Sequence, residues 1–131
     1  FAGFGETLKL SESNRFIGQW SKTNVYSKLT EYANLILLSI SEAHPLVCME
    51  ALSAGLGLVI SEKSSANLDL TKEFISVIPE QKITDIEFIK QAIESNRKYS
   101  INNRKEILEY SKNFEWKKVV LEYTKILEKI L

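Results

Sequence analysis

Residues 35–60 read LILLSISEAHPLVCMEALSAGLGLVI, and this stretch decides the fold. A mostly apolar run at 35–40 leads into a loop that carries Glu42, and a second apolar run at 58–60 follows a glycine-marked break. Pro45 suits the first turn of a helix, where its missing N–H would have no partner. The pattern predicts a strand, a loop, a helix and a parallel strand. Open parallel sheets bind ligands beyond the carboxyl ends of their strands, so we expect the site there.

The rest of the chain continues the alternation of strands and helices. Further strands are predicted at 16–18 and 75–78. Further helices are predicted at 24–32, 84–93 and 101–110, and a capping box at 84–87 opens the second of these three. A last helix, capped by Asn113, has an apolar face formed by Trp116, Val119, Val120, Tyr123, Ile126, Leu127 and Ile130. We expect Trp116 and Tyr123 to lie in the core. The whole chain, 1–131, is therefore predicted to be a single α/β, Rossmann-like three-layer domain with a parallel sheet and a helical C-terminal tail.

Composition narrows the classes of partner and of site. The chain has 17 basic and 17 acidic residues, and this zero net charge argues against nucleic acid as a partner. A single cysteine and a single histidine argue against an internal disulfide and against a cysteine- or histidine-rich metal site, so no metal is expected. No apolar run is long enough to cross a bilayer, and we expect a cytoplasmic protein. The opening residues, 1–5, read as the end of a strand, so we also expect a fragment of a longer chain.

The loop and helix after the first strand carry the candidate site. Leu46, Val47 and Cys48 fall in the first helical turn, where amides lack helical partners and the helix dipole is positive, which favours a phosphate. Glu50 lies about one turn further on, and its carboxylate would accept hydrogen bonds from the paired hydroxyls of a ribose. Glu42 could accept from hydroxyls beyond the phosphates. The set predicts a diphosphate with a sugar at each end.

These residues resemble a known family. Ser39, Glu42 and Glu50, separated by two and seven residues and followed by Ala54-Gly55, are similar to the donor-binding half of GT-B glycosyltransferases, in particular the retaining group called family 4. Further matches lie at Gly3-Phe4-Gly5, at Phe16-Ile17-Gly18 and at Asn113-Phe114-Glu115-Trp116. The resemblance covers nearly the whole chain and implies the C-terminal half of a GT-B fold, truncated at its N-terminus.

The resemblance implies roles for the site residues. Glu50 would bind the ribose of a UDP-, GDP- or ADP-sugar, Glu42 would contact the donor sugar at the reacting centre, and the amides at 46–48 would hold the diphosphate. The enzyme would transfer a hexose to a hydroxyl of a glycan, lipid or protein with retention of the anomeric configuration. It would need no metal or other cofactor. The missing N-terminal domain would complete the cleft. The basic pair that neutralises the diphosphate would lie in the first strand–helix segment of this half, upstream of residue 1, so we expect the fragment alone to be inactive. The resemblance also allows a membrane-peripheral location for the full-length enzyme.

Each residue also has a plainer interpretation. Glu50 would be a solvated helix residue, and Glu42 a loop carboxylate favoured by the helix dipole. His44 would be a helix cap, or a group that touches the donor sugar or transfers a proton. Cys48 is interpreted as a packing residue. Trp20 would either stack on the nucleotide base or pack in the core.

The sequence also departs from the family pattern and leaves other functions open. Ala43-His44-Pro45 replaces the usual Gly-Phe-Gly, and Gly55-Leu56-Gly57-Leu58 replaces Gly-(any)-Pro-Val. One alternative is a glycosyltransferase-like module without activity that serves binding or assembly. Another is a nucleotide-sugar epimerase of the same GT-B shape, and an unrelated flavodoxin-like regulatory domain is a third. The terminal apolar helix, finally, predicts weak self-association.

Overall fold

The structure is a computed structural model that describes residues 15, 17–42 and 45–130. The chain forms two compact units, residues 1–31 and 32–131. In the first unit, helix α1 (Lys22–Lys28) begins after Ser21, whose hydroxyl accepts a hydrogen bond from the Asn24 amide at 3.3 Å. A 3-10 turn, Leu29–Glu31, continues it. The helix predicted at 24–32 is therefore confirmed, with a start two residues earlier.

The strand predicted at 16–18 is not confirmed as a buried element. Ile17 is exposed, and Gly18 has a positive φ of 70° and only an isolated bridge. Phe16 and the opening residues 1–5 lie outside the described part of the chain. Their predicted roles in the sheet therefore stay predictions.

The second unit is built on a parallel sheet of three strands. The strands are β1 (Asn34–Leu37), β2 (Gly57–Ser61) and β3 (Ile75–Ile78), in the order β1-β2-β3. In the register of the sheet, Leu58 pairs with Leu35 on one side and with Ile75 on the other. Every residue of β2 is buried, because this central strand has apolar side chains on both faces.

The helices of this unit alternate with the strands and then form the C-terminal tail. They are α2 (Leu46–Ser53), α3 (Ile86–Asn102), α4 (Arg104–Ser111) and α5 (Trp116–Ile130). α2 connects β1 to β2 and contacts both, and α3 contacts all three strands. The predicted α/β architecture with a parallel sheet and a helical tail is confirmed for the described residues.

Boundaries of α3 and α4 also differ from the sequence prediction. Asp85, not Thr84, caps α3, because its carboxylate accepts the Phe88 amide at 3.0 Å and also faces the Lys82 ammonium at 2.8 Å. α3 then continues to Asn102, so the helix predicted at 101–110 starts at Arg104 instead. A carboxylate that satisfies both an amide and an ammonium displaces the weaker threonine cap.

A buried asparagine ties α3 to the sheet. The Asn96 amide nitrogen donates to the carbonyl oxygens of Leu58 at 2.9 Å and of Phe74 at 3.0 Å. Gly57 lies against the same helix, since a Cβ there would meet the Ser100 hydroxyl and the Asn96 side-chain oxygen. The absence of a side chain at this position is what lets α3 approach the central strand so closely.

The terminal helix α5 lies outside the core. Trp116 is 81% exposed and Tyr123 is 66% exposed, so the prediction that they lie in the core is wrong. No residue of α5 is buried, and the helix packs chiefly against the 3-10 turn Lys112–Phe114 that precedes it. Helical spacing identified the apolar face correctly, but spacing does not say whether any surface covers it. None of the helices described here combines the length and apolar composition needed to cross a membrane.

Candidate functional site

A small pocket of about 80 Å³ opens at the carboxyl edge of the sheet. Residues that end or follow each of the three strands line it: Ser39, Ile40, Ser61, Glu62, Lys63, Glu80 and Ile83. Because all three strands are parallel, their carboxyl ends meet at one edge and bring these distant segments together. This is the edge at which the sequence led us to expect a ligand.

Ser39 connects the pocket to Glu42. The Ser39 hydroxyl donates to the Glu42 carboxylate at 3.2 Å. The Ser39 carbonyl accepts a hydrogen bond from the Ser61 hydroxyl at 2.6 Å, and this hydroxyl also contacts that of Ser64 at 3.1 Å. Since Ser61 and Ser64 are both buried, this hydroxyl chain fixes the end of β1 to the end of β2. The loop that carries Glu42 is thus held at the mouth of the pocket.

A second carboxylate orders the far side of the pocket. Glu62 accepts a hydrogen bond from the Glu80 amide at 3.1 Å, at the start of the 3-10 turn Glu80–Lys82. Lys63, which carries a positive charge, also lines the pocket. Carboxylates and one ammonium therefore belong to the residues around this small pocket, whereas its accessible lining is mostly apolar.

Sequence reasoning missed Ser61, Glu62 and Glu80 as lining residues. A signal was present, since Ser61-Glu62 directly follows the second apolar run and Pro79-Glu80 directly follows the third. Polar residues placed directly after buried parallel strands lie at the ligand-binding edge. The same rule that selected Glu42 would have selected these residues.

The first turn of α2 differs from the expectation in one respect. Pro45 is the N-cap residue, with an extended backbone, and its carbonyl accepts the Cys48 amide at 3.0 Å. The prediction that the Cys48 amide is unpaired is therefore wrong, because the turn is tight enough for an i to i−3 bond. Leu46 and Val47, the first two residues of the helix, have exposed side chains. His44 lies outside the described residues.

The pKa of the Cys48 thiol depends on burial and on a nearby charge. The thiol is buried, and burial raises its pKa from 9.0 to about 11, with a smaller contribution from the negative charge of Glu42. The Glu42 carboxylate therefore acts electrostatically on the first turn of α2. The packing role predicted for Cys48 is confirmed.

Glu50 and Trp20 are in different parts of the chain. Glu50 is in the second half of α2, with an exposed side chain that is open to solvent. Trp20 belongs to the first unit and is half-buried there. The structure brings Glu42 and α2 together in the second unit, and a role for Trp20 in base stacking stays a prediction.

A larger cleft, of about 400 Å³, lies between the loop after β2 and helix α4. Its residues are Asp69, Lys72, Glu106, Glu109, Tyr110 and Asn113. Asp69 has a structural role, since its carboxylate accepts the Thr71 hydroxyl at 2.6 Å and its amide donates to the Tyr110 hydroxyl at 2.8 Å. The hydrogen bonds from Thr71 lower the pKa of Asp69. This cleft is formed by other residues than the predicted site.

Within the described ranges, no three His, Cys, Asp or Glu side chains form a group that could hold a metal ion.

No family model, curated protein or solved structure matches this chain. Its function has to be inferred from the residues and the geometry at the carboxyl edge of the sheet.

Proposed function

We propose that this chain is the donor-binding domain of a retaining GT-B glycosyltransferase of family 4. In this proposal it binds a nucleotide-diphospho-sugar, and the complete enzyme transfers the hexose to a hydroxyl of a glycan, lipid or protein without a metal ion. The observation that carries the proposal is the link from Glu42 through Ser39 to a pocket at the carboxyl edge of the parallel sheet.

The first support is the chemistry of that pocket. Sugar hydroxyls donate hydrogen bonds to carboxylates, and Glu42, Glu62 and Glu80 lie at or around the opening. The buried Ser61 and Ser64 hydroxyls hold the strand ends in place, so the acceptors need little reorganisation when a sugar binds. Exposed carboxylates around a strand edge are acceptors that sugar hydroxyls can reach, and this is what supports the proposal.

The second support is the position of Glu42 relative to α2. Burial raises the pKa of the Cys48 thiol and the charge of Glu42 adds to this effect, so Glu42 lies near the first helical turn. A helix N-terminus attracts anions, and exposed Leu46 and Val47 leave that end accessible. A donor with its diphosphate at this helix end would bring its sugar within reach of Glu42.

The third support is the exposed carboxylate of Glu50. It belongs to the same helix as the proposed phosphate contacts, and its side chain is free of burial. An ionised carboxylate repels phosphate but accepts two hydrogen bonds from the vicinal hydroxyls of ribose. This role rests on the resemblance, with exposure as the structural condition that it needs.

The proposed chemistry needs no nucleophilic side chain from this domain. The bond between the anomeric carbon and the diphosphate breaks, the acceptor oxygen bonds to the same carbon with retention, and the hydroxyl proton of the acceptor passes to the departing diphosphate. Catalysis would come from positioning and from stabilisation of the departing diphosphate. Glu42 would orient the transferred sugar at the reacting centre.

The proposal is tested by amide NMR of the chain titrated with UDP, GDP and ADP. We expect one nucleotide to shift the amides of Leu46, Val47 and Glu50, and to lose this effect in Glu50→Gln. The substitution keeps the side-chain shape but removes the charge that would hold the ribose.

Glu94→Gln is the matched control, because Glu94 is also an exposed helical glutamate, on α3. It should leave the titration unchanged. The same experiment with the corresponding nucleotide-sugar should add shifts at Ser39 and Ser61. If no nucleotide shifts the α2 amides, or if both glutamate variants behave as the unmodified chain, the proposal is wrong.

A further inference from the structure

The pocket at the carboxyl edge of the sheet is smaller than a sugar. Its volume is about 80 Å³. A water molecule takes up about 30 Å³ in the liquid, so this space corresponds to roughly two or three waters. A hexose with its hydroxyls is larger than that. When a donor sugar lies at this edge, its ring therefore stays outside the pocket and only one substituent enters.

The lining of the pocket favours an apolar end on that substituent. The accessible lining is mostly apolar, and Ile40 and Ile83 contribute to it. The two serine hydroxyls on the wall already have partners, since Ser61 donates to the Ser39 carbonyl and Ser39 donates to Glu42. A hydroxyl that entered would lose hydrogen bonds to water without replacing all of them, whereas a methyl group gains from leaving water.

The charges around the pocket disfavour an acidic substituent. Glu62 and Glu80 both line it, and the Glu62 carboxylate accepts the Glu80 amide at 3.1 Å. Both side chains are exposed and carry a negative charge, and Lys63 adds one positive charge. Because carboxylates repel another anion, a uronic acid or a sugar phosphate fits less well than a sugar with an uncharged substituent.

An acetamido group has three parts that this site can bind. Its methyl group is apolar and uncharged, and suits the lining formed by Ile40 and Ile83. Its N–H is a donor for a carboxylate, and the Glu42 carboxylate lies at the mouth of the pocket, 3.2 Å from the Ser39 hydroxyl. Its carbonyl oxygen is an acceptor for an ammonium, and Lys63 supplies one. Neither a plain hydroxyl nor a lone methyl group uses all three.

We propose that this pocket binds the acetamido group of a 2-acetamido hexose, and that this is the sugar carried by the donor. The methyl group contacts Ile40 and Ile83, while the ring remains at Glu42, outside the pocket. This sugar specificity rests on the proposed function, since the nucleotide part of the donor binds at α2.

Two other groups would fit into the same space. The methyl group of a 6-deoxyhexose is apolar, but it brings no N–H for Glu42 and no carbonyl for Lys63. An apolar side chain from the N-terminal domain of the proposed complete enzyme would also fill the pocket, and it would do so without any sugar. The hydrogen bond between Ser39, which lines the pocket, and Glu42 favours the sugar, because Glu42 is the residue proposed to meet it.

The test compares three donors that share one nucleotide, the one that binds in the titration with UDP, GDP and ADP. Their sugars are glucose, N-acetylglucosamine and 6-deoxyglucose. We expect the N-acetylglucosamine donor to bind about tenfold more tightly than the other two, because it alone gains both the buried methyl group and the amide hydrogen bonds. Only this donor should shift the Ile40 and Ile83 amides, and its acetyl methyl should show a nuclear Overhauser effect to the Ile83 side chain.

Ile40→Ser tests the lining, and the fold should tolerate it because Ile40 is 89% exposed. We expect the preference for N-acetylglucosamine over glucose to fall from about tenfold to about twofold, since the methyl group loses an apolar neighbour. Ile86→Ser is the matched control, because Ile86 is 81% exposed and lies at the start of α3, outside the residues that line the pocket. It should keep the full preference.

Four other results would overturn the acetamido pocket. Equal affinity for the glucose and N-acetylglucosamine donors, or a preference that survives Ile40→Ser, would leave the donor site in place without this specificity. Equal shifts from the 6-deoxyglucose donor would assign the pocket to a methyl group alone. Ile40 and Ile83 amides that respond to none of the three donors would leave the pocket to the N-terminal domain. If no nucleotide binds at all, the proposed function fails and the sugar specificity fails with it.

Discussion

Cys48 shows how one buried side chain senses a neighbouring loop. Its thiol is buried in the first turn of α2, and the negative charge of Glu42 adds to the effect of burial in raising its pKa. A buried thiol with a raised pKa is a poor nucleophile, because the thiolate is the reactive form. At the residue scale, Cys48 is therefore a packing residue.

The first residue-scale prediction concerns pH. The Cys48 thiol has a pKa of about 11 in the folded chain and an ordinary value of 9.0 in the unfolded chain. The stabilisation that this difference provides is fully present below pH 9.0 and is lost as the pH rises to about 11, because the unfolded chain releases its proton first. We expect the stability difference between the unmodified chain and Cys48→Ala to shrink across this range, as measured by urea unfolding.

The contribution of Glu42 can be separated by Glu42→Gln. Removal of the negative charge should lower the pKa of the Cys48 thiol, seen as an earlier rise of thiolate absorbance with pH. An unchanged titration would show that Glu42 acts on this turn less than the structure indicates.

At the scale of elements, the close approach of α3 to β2 organises the sheet. Asn96 bonds to two carbonyls of the sheet, and Gly57 leaves the room for it. Asn96 lies beyond the helix predicted at 84–93, so the sequence did not place it on a helix face; α3 extends further in the structure. The burial of Asn96 depends on the carbonyls of Leu58 and Phe74, which are 38 and 22 residues away along the chain, and local periodicity cannot show this.

The element-scale prediction is that Gly57→Ala destabilises the fold by roughly 3 kcal/mol, the upper end of overpacking costs. Its Cβ would meet the Ser100 hydroxyl and the Asn96 side-chain oxygen, both of which are held by other contacts. Urea unfolding followed by circular dichroism measures the change.

Gly55→Ala is the contrasting control for this prediction. Gly55 has a φ of +77°, but its nearest neighbours are 3.5 Å away, so the substitution costs only backbone strain of about 1 kcal/mol. Equal losses in the two variants would mean that helix approach is not the constraint at Gly57.

At the scale of the whole molecule, the core of the second unit is formed without the terminal helix α5. The buried side chains belong to the sheet, α2, α3 and α4, with Ile107 of α4 fully buried, whereas α5 buries nothing. Phe114 still packs edge-on against Tyr110, at 5.4 Å between ring centroids. The stable part of the second unit therefore ends close to Glu115.

The whole-molecule prediction is that truncation after Glu115 lowers the stability of a dilute sample by less than about 1 kcal/mol, because no buried contact is lost. Truncation after Asn103, which also removes Ile107, should abolish cooperative unfolding. A large loss on removal of α5 alone would show that its apolar face packs on the rest of the chain. Urea melts at low concentration keep any dimer from adding to the result.

The sequence by itself determined the order of the elements in the second unit, the parallel sheet and the apolar stripe of α5. These follow from local periodicity, Pro45 and the turn residues, which act over a few neighbours. It also placed Glu42 after a strand and Glu50 on the following helix.

Only the tertiary structure decided which residues meet. It joined Ser39, Ser61 and Glu80 at one edge, since parallel strands align ends that are far apart in sequence. It also left Trp116 and Tyr123 in solvent, where spacing alone had suggested a core position. Periodicity defines the face of a helix, but burial depends on whether another part of the chain reaches that face, and this is a property of the packed molecule.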